Sequence, residues 1–337
     1  MNELIIAGES ILPGEKRQIQ LPVAKLYTDT EISIPIFVAR SKKPGPVLMI
    51  SAAIHGDELN GIEIIKRLIS KKLVLKKGTL IAVPMVNVYG VLNQNRYMPD
   101  RRDLNRSFPG TKKGSLAGRV ANLFLEEVVS KCDYGIDIHT GAIHRSNLPQ
   151  IRADLDDEET LELAKAFGAP VILNANLRDG SLRNAAKEIG TKILLYEAGE
   201  ALRFDELSIR IGIKGIKQVL KHLGMSKSNR VKKVIEPFRA DKSLWVRATD
   251  SGIINHLFQL GDHVRKGQVI AEIHDPFGQQ IDVIKAALSG VIIGKQNIPL
   301  AQEGEAIYHI AYFNDPDDVV SHIEQLQEEH FPEEMND

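Results

Sequence analysis

The sequence predicts an α/β fold, a sheet covered by helices, followed by a small all-β domain. Three observations carry this expectation. Between Ile32 and about Gly224, short apolar runs alternate with segments of helical period, the pattern of a sheet with helices packed on it. The run Val47 to Ile54 is apolar almost throughout, as a central strand buried on both faces would be. From Trp245 to Tyr312 the chain breaks into short β-type runs separated by glycine, which argues for a β-rich unit of its own.

In chain order, the predicted strands are Ile32 to Val38, Val47 to Ile54, Thr79 to Val86, Tyr134 to Ile138, Val171 to Leu173 and Lys192 to Tyr196. Leu59 to Lys71 sets Ile62, Ile65 and Ile69 on one face and reads as an amphipathic helix. Ser115 to Lys131 and Asp157 to Phe167 read likewise, the latter opened by acids that suit a helix N-terminus. The basic stretch Lys227 to Lys233 lacks interleaved aromatics and reads as a solvated linker. A division follows: a catalytic domain over 1–228, a β-rich domain over 229–325 and an acidic tail over 326–337.

Composition bounds the function. The 43 lysines and arginines nearly balance 44 aspartates and glutamates, so no global charge argues for nucleic acid or an anionic membrane as partner. No apolar run approaches the roughly 20 residues that span a bilayer, and a soluble cytoplasmic protein is the default expectation. Cys132 is the only cysteine, which excludes a four-cysteine zinc site and a disulfide framework.

The chemistry gathers at predicted strand ends, where open α/β sheets place their ligand sites. Val47 to Ile54 stops on His55-Gly56-Asp57-Glu58, and Tyr134 to Ile138 stops on His139-Thr140-Gly141. Two imidazoles and a carboxylate are ligands that a catalytic zinc uses while keeping one position open. Asp57 and Asp137 flank them and could orient the imidazole N–H groups; His144 is a competing ligand. The loop Asn95 to Gly110 holds Arg96, Arg101, Arg102 and Arg106, more guanidinium than a solvated turn needs and suited to a carboxylate-bearing substrate. Lys192 to Tyr196 leads into Glu197, a carboxylate placed to exchange protons near a metal and favoured over Glu200 by lying nearer the strand end.

His55-Gly-Asp-Glu58, Asp103-Leu-Asn-Arg106 and Asp137-Ile-His139-Thr-Gly together resemble the succinylglutamate desuccinylase and aspartoacylase family, a branch of the zinc carboxypeptidase superfamily. The resemblance covers about residues 30 to 320. It implies a zinc-carboxypeptidase-like mixed sheet, one Zn²⁺ per chain on His55, Glu58 and His139, and Glu197 as general base and acid. It further implies that Asn105 and Arg106 hold a substrate carboxylate and that an upstream arginine polarises the scissile carbonyl. Arg96 matches by its Tyr97 neighbour, and Arg102 by its distance from Asp103. The stretch Leu260 to Ile270 resembles the hairpin of the lipoyl and biotinyl barrel-sandwich, although Lys285-Ala286-Ala287 lacks the setting of a modified lysine and no prosthetic group is expected.

The implied reaction is amide hydrolysis of an N-acyl amino acid or similar small carboxylate. A metallocarboxypeptidase releasing a C-terminal residue is the alternative enzyme, and a binding module on a degenerate hydrolase is the non-enzyme reading. The sequence leaves open the acyl group, the amino acid and whether the chain forms a homo-oligomer.

Overall fold

The computed structural model describes residues 3–69, 73–175, 177–226, 237–240, 242–313, 320–321 and 323–324. The boundary read near residue 230, the basic stretch beside it and the acidic tail lie outside the described residues.

A hairpin, β1 (Leu4–Ile6) and β2 (Glu9–Ile11), precedes β3 (Lys16–Lys25), β4 (Glu31–Arg40) and β5 (Val47–Ala52). Then come α1 (Asn60–Leu68), β6 (Thr79–Val83), α2 (Val88–Leu92), α3 (Leu116–Glu127), β7 (Tyr134–Gly141) and β8 (Arg145–Ala153). The chain continues through α4 (Glu158–Phe167), β9 (Val171–Asn174), α5 (Leu182–Glu188), β10 (Lys192–Glu200) and α6 (Glu206–His222). The C-terminal strands are β11 (Phe238–Ala240), β12 (Lys242–Arg247), β13 (Gly252–His256), β14 (His263–Val264), β15 (Val269–His274), β16 (Gln280–Lys285), β17 (Gly290–Gln296), β18 (Leu300–Ala301) and β19 (Ala306–Tyr312).

The main sheet is mixed, in the order β12-β19-β17-β8-β10-β7-β5-β6-β4-β3. Its centre is parallel: β5 pairs with β6 and β7, and β7 with β10. Both faces of β5 are buried, as its apolar run predicts. Leu48 and Ile50 pack under α1, α4 and α6, while Met49 joins the opposite cluster beneath α3 and α5. Side-chain caps begin the helices: Ser115 for α3, Asp157 for α4, Ser181 for α5 and Asp205 for α6 each accept from a backbone N–H of the first turn.

The sequence reading has no strand over Arg145–Ala153, yet β8 lies inside the sheet. Polar residues and Pro149 conceal it. Proline is tolerated because β8 changes neighbour around that position, pairing with β17 over Arg145 to Asn147 and with β9 from Gln150 onward. Through the first of these pairings the C-terminal strands continue the main sheet. A second sheet, β16-β15-β13-β18, packs on them through Ile254, Ile270, Ile273, Ile284, Ile292 and Ile310. The β-rich texture of the C-terminal region is therefore present, and it is built onto the sheet that carries the site.

Candidate active site

The chain leaves β5 through Ala53, whose φ of 52° is a conformation rare outside glycine, and delivers His55 and Glu58 to the strand end. His139 comes from the adjacent parallel strand β7. Donor atoms of His55, Glu58 and His139 lie within 4.8 Å of one another, and all three residues are buried. His55 Nδ1 stands 2.7 Å from Glu58 Oε1, and His139 Nδ1 stands 2.7 Å from Glu58 Oε2.

The outer ring nitrogens decide what those contacts mean. His139 Nε2 meets Asp137 Oδ2 at 2.7 Å, and His55 Nε2 meets Asp103 Oδ1 at 3.1 Å. A neutral imidazole that donates Nε2–H to a carboxylate presents an Nδ1 lone pair on its other side. Both lone pairs then converge on carboxylate oxygens, an arrangement that wants protons or a cation between them. Two imidazole nitrogens and a carboxylate fit a borderline-soft divalent cation such as zinc. Burial opposes charge on both rings, but Glu58 and Asp103 raise the pKa of His55, and Asp137 and Glu58 raise that of His139 well above its ordinary value. Burial likewise opposes ionisation of Glu58, and the two imidazoles overcome it, holding the carboxyl well below the usual range.

Asp137 stands where the sequence reading put it. Asp57 does not: its Oδ1 is buried without a hydrogen-bond partner, and Asp103 meets the His55 ring instead. Asp103 reaches that position by opening the turn Leu104–Arg106, where it also accepts from Asn105 N–H at 2.8 Å. His144 is exposed and outside the donor group. Glu200 accepts from His144 N–H and Asn297 Nδ2, leaving Glu197 as the strand-end carboxylate that faces the pocket.

That pocket encloses about 360 Å³ over the donor group. Arg96, Asn105 and Arg106 line it, whereas Arg102 does not. A turn closed by Met98 N–H to Arg102 O and Arg101 N–H to Met98 O leaves Arg101 and Arg102 exposed. Arg96 bonds Asp103 Oδ2 at 3.0 Å and reaches Glu58 Oε1 at 3.5 Å, tying it to the donor group. Asn105 Oδ1 accepts from Leu182 N–H at 2.9 Å, which docks the start of α5 against the arginine loop.

The sequence reading lacks several pocket residues altogether. Asn147 and Arg152 rise from β8 and hold Glu197, with Asn147 Nδ2 at 2.9 Å from Oε1 and Arg152 Nε at 2.6 Å from Oε2. Among the described residues, Arg145, Arg178 and Arg183 bring the pocket's arginines to six, against the carboxylates of Glu58 and Glu197. Burial and the neighbouring Arg152 push Arg183 down to about 10, which leaves it cationic at neutral pH. Trp245 arrives from β12.

The model of the succinylglutamate desuccinylase/aspartoacylase catalytic domain matches residues 44–223, more than half of the chain. The chain belongs to this family. Among relatives in the family, the N-alpha-acetyl-L-2,4-diaminobutyric acid deacetylase of Halomonas elongata is 31% identical over 295 residues, covering 83% of this chain and 86% of the relative. A succinylglutamate desuccinylase of Pseudomonas aeruginosa is 28% identical over 222 residues, 60% of this chain and 65% of that protein. The product-bound ectoine utilization protein EutE (DoeB) of Ruegeria pomeroyi superposes with a TM-score of 0.79 at 25% identity, covering 89% of this chain and 97% of its own. A family protein of Rhodobacter sphaeroides shares the fold, with a TM-score of 0.78, 23% identity and coverage of 89% and 95%. Among the described residues, no helix is long and apolar enough to cross a membrane.

Proposed function

We propose that this chain is a zinc-dependent deacylase that hydrolyses the amide of an N-acyl amino acid. The observation that carries the reading is one pocket holding a His-Glu-His donor group, a separately held carboxylate and six arginines. His55, Glu58 and His139 would hold one Zn²⁺, which supplies Lewis-acid polarisation of a carbonyl and activation of water. The activities of the relatives, deacetylation of N-acetyl-2,4-diaminobutyrate and desuccinylation of succinylglutamate, support the acyl amino acid class.

Glu197 takes a proton from the attacking water and returns it to the departing amine nitrogen. Asn147 and Arg152 fix its carboxylate, so that the proton is received at a defined point. Arg96 presents a guanidinium beside the donor group and stabilises charge developing on the acyl oxygen. Asn105 and Arg106 receive the amino acid carboxylate, with Arg106 able to engage it through paired N–H donors.

The deciding experiment measures amino acid release from a panel of N-acetyl and N-succinyl amino acids, with blocked dipeptides alongside, by the zinc-loaded protein. Turnover of the acyl amino acids with little cleavage of the peptides is expected. Preferential peptide cleavage would replace the reading with a carboxypeptidase, and an inert protein with full zinc content would overturn it.

A further inference from the structure

Trp245 is the only tryptophan in the chain. Among the described residues, it is also the only pocket-lining side chain contributed from beyond Glu197. It stands on β12, separated from β8 by β19 and β17, and reaches back because Gly294 of β17 leaves room for it. A Cβ at Gly294 would lie 3.3 Å from Trp245 Cη2 and 2.9 Å from Asn147 Oδ1. The indole is held from other directions as well. It stacks on His309 with ring centroids 4.7 Å apart and planes 9° from parallel, and the Arg145 guanidinium carbon lies 5.7 Å from its centroid. Such a ring is a fixed wall.

The wall has a definite place relative to the reacting groups. In sheet order, His55 and Glu58 follow β5, His139 lies on β7, Glu197 on β10, Asn147 on β8 and Gly294 on β17. Asn105 and Arg106 come from the loop after α2 and sit against Gly180 and Leu182 at the start of α5, whereas Trp245 lines the pocket from the β8–β17 side among Arg145, Gly294 and His309. Among the described residues, Arg106 and Trp245 share no neighbour, so a substrate whose carboxylate meets Arg106 and whose scissile carbonyl lies between the donor group and Glu197 can extend its acyl carbon toward the Trp245 side. We infer that Trp245 is the wall of the acyl subsite, a specificity-determining residue that bounds the acyl substituent and limits its length. This assignment rests on the deacylase reading.

Two measurements test it. In the first, 2,4-diaminobutyrate, aspartate and glutamate are each supplied as N-acetyl and N-butanoyl derivatives to the wild type and to Trp245→Ala. An added methylene in a fitted apolar subsite alters kcat/KM by about tenfold or more. The butanoyl-to-acetyl ratio is therefore expected to rise at least that much in Trp245→Ala, with the ranking of amino acids retained. An unchanged ratio, or a shift in amino acid ranking instead, overturns the assignment.

The second measurement needs no variant and decides the matter if Trp245→Ala fails to fold. Tryptophan emission of the wild-type holoenzyme, followed by stopped flow, reports Trp245 alone. N-acyl amino acids are expected to change it on binding while the free amino acids leave it unaltered. Emission that stays constant at concentrations saturating turnover, or that responds to the free amino acids equally, overturns the assignment. If calorimetry and turnover both find no N-acyl amino acid accepted, the deacylase reading itself falls, and the acyl wall with it.

Discussion

Asn147 Nδ2 donates to Glu197 Oε1 at 2.9 Å, so the proposed base is held by a strand that runs antiparallel to its own. The two residues are not directly opposed in register: Gly199 pairs with Asn147, and a bulge between Glu197 and Gly199 allows the contact. A hydrogen bond to a charged group is worth about 1.5–3 kcal/mol. Asn147→Ala is thus expected to lower kcat by roughly tenfold to a hundredfold with unaltered zinc content. Glu197→Gln, which removes the base itself, should cost about 10²–10⁴. Steady-state kinetics of both variants check this, and an Asn147→Ala enzyme with wild-type kcat refutes the positioning role.

Asp103 joins the two halves of the site, since its carboxylate meets His55 Nε2 and also Arg96 Nη2. Burial opposes its ionisation, but His55 and Arg96 hold the carboxyl well below its usual range. Removing a carboxylate that orients a metal-bound imidazole typically weakens metal binding by about 10–100-fold. Asp103→Ala should do so, and Asp57→Ala should not. Competition against a chelator of known affinity compares them, and equal losses would return the orienting role to Asp57.

The pH dependence of zinc binding follows from the same contacts. His55 and His139 have raised pKa values because burial, which disfavours the charged rings, is outweighed by Glu58 together with Asp103 and Asp137. Protons consequently compete for the Nδ1 positions from above the ordinary imidazole range, and metal binding must expel them. Affinity is expected to rise with pH through and beyond neutrality, by up to about 100-fold per unit where both rings start protonated. Zinc titrations at a series of pH values test the sign; affinity that is flat from pH 6 to 8 contradicts the ligand assignment.

The donor group was legible in the sequence because each member stands at the end of an apolar run, where strand, loop and ligand follow one another locally. Asp137 was legible for the same reason, two residues before His139 on one strand. Asn147 and Arg152 were not. Their strand has polar residues directed at the pocket and a proline at its change of neighbour, which together erase the apolar alternation that marks a strand. Trp245 was hidden differently: its place depends on three strand pairings and the missing side chain of Gly294, relationships that no local pattern encodes. Arg102 illustrates the reverse error, since proximity to Asp103 in sequence says nothing of the turn that leaves it exposed.

Gly56, inside the tetrapeptide that supplies two donors, is required by close approach. A Cβ there would lie 1.9 Å from the carbonyl carbon of Gly90 and 2.3 Å from Val91 N, within the backbone of α2. That backbone has little freedom to retreat. Gly90 N–H donates to Asn87 Oδ1 at 2.8 Å, and Gly90 O accepts from Asn95 N–H at 2.9 Å. The contact also sets the loop bearing His55 and Glu58 against the segment that leads to Arg96. Gly56→Ala is expected to destabilise the fold by about 1–3 kcal/mol through overpacking and to displace the donors, lowering zinc content together with the thermal midpoint. Calorimetric melting and metal analysis of the purified variant check both. Wild-type values for the pair would mean that the loop and α2 tolerate a side chain between them, and that Gly56 does not set the spacing of the site.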